Sequence, residues 1–172
     1  MNPTKTESAT GYRLSRGDGI DDVWWPFFPT EIGRHTNKVI GVQTQGRLFQ
    51  VLIDYPRGAA PPLHIHHDAD ETFFVLSGEV TIFVGDDRYE CTAGDFVLGP
   101  KGVSHTFLVR SERAEMLVTF SPAGIDGFFA EVAPPVVPGL PPPASTMPDQ
   151  EEFVRLMAKY ECEFLGPPPT LD

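Results

Sequence analysis

The chain has 172 residues, of which 41% are apolar, with 13 basic against 24 acidic side chains and a formal charge of −11. That length and apolar share suit one domain with a real core, while the acidic balance excludes wrapping a phosphate backbone, which needs a basic face. No run approaches the ~18 apolar residues of a membrane span, no basic-then-apolar start marks an export signal, and Cys91 and Cys162 lie too far apart for a metal-type pair, so a cytoplasmic protein that meets neither nucleic acid nor membrane is expected.

Residues 1–37 read as an N-terminal arm. A polar start, MNPTKTESATG, leads to the aromatic segment Trp24-Trp25-Pro26-Phe27-Phe28-Pro29, too rich in proline for regular structure and suited to plugging a barrel end or a neighbouring subunit. Residues 38–121 form a series of short β-type runs: VIGVQTQG, RLFQVLIDY, TFFVLSG, EVTIFVG, DFVLG, HTFLV and AEMLVTF. Each is rich in β-branched and aromatic residues, and the breaks between them, such as PRGAAPP, TAGD and GPKG, carry turn residues. Val84 to Arg88 (VGDDR) reads as a tight hairpin. Such a series without intervening helices predicts an all-β antiparallel sandwich or barrel. Several strands are apolar at both parities, as in TFFVL, so one face can fill the barrel while the other meets a second sheet. A homodimer is the expected source of that sheet.

Residues 122–172 change period. Ile125, Phe128, Phe129 and Val132 form one helical stripe, and Pro134 to Pro148 is an extended proline-rich linker. Asp149, with Glu152 three residues on, predicts a capping box. The helix it opens carries Phe153, Leu156, Met157, Tyr160 and Phe164 as its stripe, and both helices are expected to brace the outside of the barrel.

The chemistry concentrates in LHIHHDADE, Leu63 to Glu71, which holds three of the five histidines. Side chains alternate faces along a strand, so His64 and His66 point one way and His67 the other. A short acidic turn can return the Glu71 carboxylate beside them, and His105, at the head of another run, offers a fourth donor. An HxH pair alone is weak evidence for a metal and is more often part of an acidic surface loop. His67, on the opposite face, is read as solvated or as a partner of a ligand, and His35 lies far upstream in a polar stretch.

The wider spacing is more specific. Gly58 precedes His64 with five residues between; Glu71 follows His66 after four, and Gly78 follows Glu71 after six. Downstream, Gly94 is followed after five residues by Pro100, then Gly102 and His105. Together these segments resemble the two signature motifs of the cupin family, and in particular the single-domain quercetin 2,3-dioxygenase-like cupins. The tail stretches SPAGIDGFF and KYECEFLGPPP are similar to that group as well. Val109 departs from the pattern, which often has Asn there.

The resemblance implies a jelly-roll β-barrel with flanking C-terminal helices, commonly dimeric. It implies one divalent transition metal ion (Fe, Mn, Ni, Co or Zn) held by His64, His66, Glu71 and His105, a ligand set that does not choose among these metals. It further implies a dioxygenase acting with O2 on a small aromatic or enolic, flavonol-like substrate, with Glu71 doubling as catalytic base. An O2-independent isomerase, cyclase or lyase at the same metal, or a barrel that only binds a small ligand, remain alternatives on a fold with many functions. Phe73 and Phe107 share strand parity with Glu71 and His105, so they are the expected substrate-binding side chains.

Overall fold

The computed structural model describes residues 11–26, 32–144 and 149–171. The first ten residues of the polar start, Phe27 to Pro29 of the aromatic segment, and Ser145 to Pro148 of the linker lie outside them. Strands form where burial alternates. In β10 (Arg113–Ser121) the residues Ala114, Met116, Val118 and Phe120 are buried while their neighbours are not, which is the two-residue period of a strand with one face on the core. Upstream of β10 run β1 (Asp21–Trp25), β2 (Gly33–Val39), β3 (Phe49–Pro56), β4 (Leu63–His66), β5 (Asp70–Ser77), β6 (Glu79–Val84), β7 (Asp87–Thr92), β8 (Phe96–Gly99) and β9 (His105–Val109). The last strand, β11 (Cys162–Gly166), comes from the tail.

These strands make two antiparallel sheets, ordered β1-β2-β3-β10-β5-β8 and β11-β4-β9-β6-β7. Their inner faces enclose a core led by Phe49, Val51, Val75, Ile82, Val109 and Met116, none more than 1% exposed. Each such side chain removed from water stabilises the fold by about 1.5–3 kcal/mol. The result is the all-β jelly roll expected from the strand series, with helices α2 (Asp126–Val132) and α3 (Gln150–Lys159) beside it. Among the described residues no helix is long and apolar enough to cross a membrane.

Four local expectations are corrected. Trp24 and Trp25 are strand residues of β1, paired with Arg34 and Gly33, and the strand ends at Trp25, before Pro26. The VIGVQTQG run is not a strand beyond Val39. It turns into the short helix α1 (Gly41–Thr44), held where the Gly41 N–H donates to Asp126 Oδ2 at 2.8 Å and ended by Gln45 in the left-handed region at φ 56°. Phe164 does not extend the α3 stripe. That helix stops at Lys159, Glu161 takes φ 54°, and the chain reverses into β11, which pairs with β4. Finally, the two helices do not simply brace the outer wall, because Phe128, Phe129, Phe153 and Met157 line the interior cavity. Asp149 caps α3 as expected, its Oδ1 accepting from the N–H groups of Glu151 and Glu152 at 2.9 and 3.2 Å, but the Glu152 side chain makes no return bond to the Asp149 N–H, so the capping box is only half formed.

The β5–β6 connection turns on Gly78, at φ 86°, where an added Cβ would stand 2.4 Å from the Arg113 carbonyl oxygen. Gly94 has φ 98° with nothing near its missing Cβ. Gly78→Ala is therefore expected to destabilise by about 2–4 kcal/mol, adding a backbone clash to left-handed strain, against about 1 kcal/mol for Gly94→Ala. Urea unfolding midpoints of the two variants check this; equal losses would remove the clash from the account.

Candidate metal centre

β4 and β5 flank a short acidic turn, and β9 lies beside β4 with His64 directly opposite His105. This brings four predicted donors together: His64, His66, Glu71 and His105 are buried, and one ligand atom from each lies within 4.8 Å of all the others. Glu71 Oε2 is the hub, 2.9 Å from His105 Nε2, 3.2 Å from His66 Nε2 and 3.9 Å from His64 Nε2. His67 faces outward, exposed, with its Nε2 2.8 Å from Glu163 Oε2, and takes no part in the cluster.

The backbone sets the tautomer of two rings. His64 Nδ1 lies 2.7 Å from the Pro62 carbonyl oxygen and His105 Nδ1 2.9 Å from that of Val103. A carbonyl only accepts, so each Nδ1 must carry its proton and donate, which leaves each Nε2 lone pair aimed at the cluster. Lone pairs of two imidazoles facing a carboxylate oxygen repel unless a proton or a cation stands between them. Three nitrogens and one carboxylate at this spacing are a donor set for a divalent transition ion, so the cluster fits a metal site of this kind.

The acid–base behaviour of the metal-free cluster follows from the same contacts. Burial opposes charge on Glu71, but the surrounding imidazoles of His105, His64 and His66, with His105 in hydrogen-bond contact, outweigh it and hold the carboxyl well below the usual carboxylate range. Burial likewise pulls His105 down, yet its bond to Glu71, the charge of Glu71 and the bond to Val103 together raise it. At His64 burial prevails over the pull of Glu71, and the pKa falls.

The cluster opens onto a cavity of about 410 Å³. Its wall is largely apolar: Phe107, Phe120, Phe128, Phe129 and Phe153 line it together with Val51, Ile53 and Met157, and no Lys or Arg is among the lining residues. Phe107 is thus a cavity residue. Phe73 is not; it is 1% exposed and stands edge-on to His105 at 6.1 Å between ring centroids. Inward parity placed Phe73 in the packing behind a donor rather than on the open surface.

Two cavity residues, His35 and Tyr55, were invisible to sequence reasoning. His35 is 1% exposed, lines the cavity, hydrogen-bonds the Tyr55 hydroxyl through Nε2, and stacks on Trp25 at 5.0 Å and 10°. Burial depresses its pKa to about 3. The signal that could have found it is parity: His35 stands across from Ile53 on β3, two residues from Tyr55, but that register is not written in either strand alone.

Comparison with known proteins agrees with this geometry. Residues 51–120 match the cupin domain family, spanning β3 to β10 and all four donors. The quercetin 2,3-dioxygenase of Bacillus subtilis is 28% identical over 125 residues, covering 72% of this chain and 37% of that protein. A Streptomyces coelicolor protein of uncharacterised function is 43% identical over 56 residues, covering 33% of this chain and 53% of its own. The chain thus spans roughly a third to a half of these relatives. Among solved structures, KdgF from a Halomonas species superposes with a TM-score of 0.53 at 19% identity, covering 60% of this chain and 89% of that one. A predicted oxalate decarboxylase from Thermotoga maritima superposes at 0.51 and 18% identity, covering 54% and 82%. At such identities the structures speak for the fold alone. The matched sequence, the jelly roll and the four-donor cluster agree, and the chain carries a cupin domain over residues 51–120.

Proposed function

We propose that the chain is a metal-dependent dioxygenase acting on a small aromatic enol of the flavonol type. One observation carries the reading: the four-donor cluster opens into an aromatic cavity whose lining includes no Lys or Arg. Such a wall suits a flat, neutral, apolar ring system and gives a phosphate or polycarboxylate no counter-charge. The similarity to a quercetin 2,3-dioxygenase supports the same substrate class.

His64, His66, His105 and Glu71 would hold the ion, which when bound supplies Lewis-acid charge and a template for two reactants. The protein's own groups do the rest. Glu71 enters as a carboxylate, the form that accepts a proton, and is positioned to take it from the substrate's enolic hydroxyl. The carbonyls of Pro62 and Val103 keep two imidazoles from turning, and Phe73 backs the His105 ring. Phe107 and the phenylalanines of α2 and α3 hold the substrate ring and exclude water.

Oxygen-electrode assays of protein reconstituted separately with each candidate metal, using a panel of flavonols and related enols, test the reading. Substrate-dependent O2 uptake is the expected result. Its absence in every metal form overturns the proposal. Turnover that proceeds at full rate under strict anaerobiosis would transfer the site to O2-independent isomerase or lyase chemistry.

A further inference from the structure

Outside the four-donor cluster, the polar side chains lining the cavity are His35, Tyr55, Gln150 and Cys162. His35 and Tyr55 differ from the other two in being built into one unit. They sit diagonally on the adjacent strands β2 and β3, joined through His35 Nε2 and the Tyr55 hydroxyl. Aromatic rings clamp both. His35 lies flat on Trp25 and edge-on to Phe129 at 4.8 Å, and Tyr55 stacks on Phe107 at 5.9 Å between centroids. Neither ring can swing away without disturbing the wall.

A bond between β2 and β3 would be explanation enough if the pair were complete, but it is not. Among the described residues four buried side-chain atoms lack a hydrogen-bond partner, and of these only His35 Nδ1 belongs to a residue that lines the cavity. A buried polar atom without a partner is costly, and proteins keep few of them. A ligand oxygen in the cavity would meet in this pair a residue, His35, whose hydrogen-bonding capacity the protein has not used up.

We infer that the His35–Tyr55 pair is the specificity-determining contact of the cavity, hydrogen-bonding a further ring hydroxyl of the substrate, distinct from the enolic oxygen directed at the four-donor cluster. The substrate class rests on the dioxygenase reading; the pair's role as a hydrogen-bonding contact does not. Burial holds the imidazole uncharged down to about pH 3, and burial together with the charge of Glu71 pushes the Tyr55 phenol up. An uncharged pair that can both donate and accept takes a neutral hydroxyl, itself donor and acceptor, rather than an anion, in keeping with a wall that carries no Lys or Arg. The preferred substrates are therefore aromatic enols with further ring hydroxyls, over the unsubstituted parent.

Calorimetric titration of the zinc-loaded protein with flavonol itself, and with analogues carrying extra hydroxyls on either outer ring, tests this without turnover. At least one hydroxylated analogue is expected to bind about tenfold tighter than flavonol. In Tyr55→Phe and His35→Phe that preference should vanish while the affinity for flavonol stays within about threefold, since a merely structural loss would weaken both ligands alike. Equal affinities in the wild type, a comparison that depends on no variant folding, overturn the inference. So does a preference that survives both substitutions. If no flavonol binds, the dioxygenase reading and this inference fall together. A preference that maps to the pair in a protein showing no O2 uptake removes only the oxygenase chemistry.

Discussion

Replacing His64 and His105 together by alanine is expected to lower bound transition metal from about one equivalent per chain to none. The two residues face each other across the β4–β9 pair and supply two of the four converging donors. His66 and Glu71 alone form an incomplete set that cannot compete with water and buffer for the ion. Elemental analysis after reconstitution and dialysis reads this directly, with circular dichroism confirming that the jelly roll persists. A wild type that takes up no metal, or a double variant that keeps it, would sink the metal centre and the catalytic proposal built on it. The surviving account would be a polar pocket in a ligand-binding barrel.

The second large effect concerns acid. His35 has its pKa lowered from 6.5 to about 3 by burial, so between those values the unfolded chain binds a proton that the folded chain refuses. Stability therefore falls as pH drops through 6.5 and goes on falling until about 3, for a total near 5 kcal/mol at 1.36 kcal/mol per pH unit. Two donors of the metal-free protein act in the same sense. The lowered carboxyl of Glu71 contributes stability that is present above its unfolded pKa and lost as pH falls, and the lowered His64 resists protonation as His35 does. His105, raised, works the other way: its contribution is present below its unfolded pKa and lost as pH rises through the folded value. Urea unfolding of metal-free wild type and His35→Phe across the acid range separates these parts. The variant's stability is expected to decline less between about pH 7 and about pH 4, by roughly 3 kcal/mol. Parallel declines would mean that His35 is not kept neutral by the fold.

Much of this molecule was legible in local pattern. The antiparallel class followed from short β-branched and aromatic runs cut by turn residues, and the VGDDR hairpin appears as the β6–β7 connection with Val84 opposite Asp87. The shared direction of His64 and His66, and the exclusion of His67, followed from strand alternation. The failures also have causes. Phe164 falls four residues after Tyr160, so helical periodicity absorbed it, although the helix had already ended and the segment needed β4 as a partner to become a strand. Trp24 and Trp25 were read through the prolines that follow them, while β2 supplied the pairing that makes them a strand.

What the sequence determined alone is whatever depends on a few neighbouring bonds: the alternation that aims alternate histidines one way, the glycine that takes positive φ at Gly78, and the Asp149 cap of α3. What only the tertiary structure decided depends on register between strands far apart in the chain. β2 and β3 bring His35 to Tyr55 across 20 residues, and β11 lies against the strand that carries His64 and His66. The cavity belongs to this second kind, since its wall draws on β1 to β5, on β9 to β11 and on both longer helices. Shape and polarity that arise from so many separate segments have no local signature, which is why the donors could be read from the chain and the wall that would choose their substrate could not.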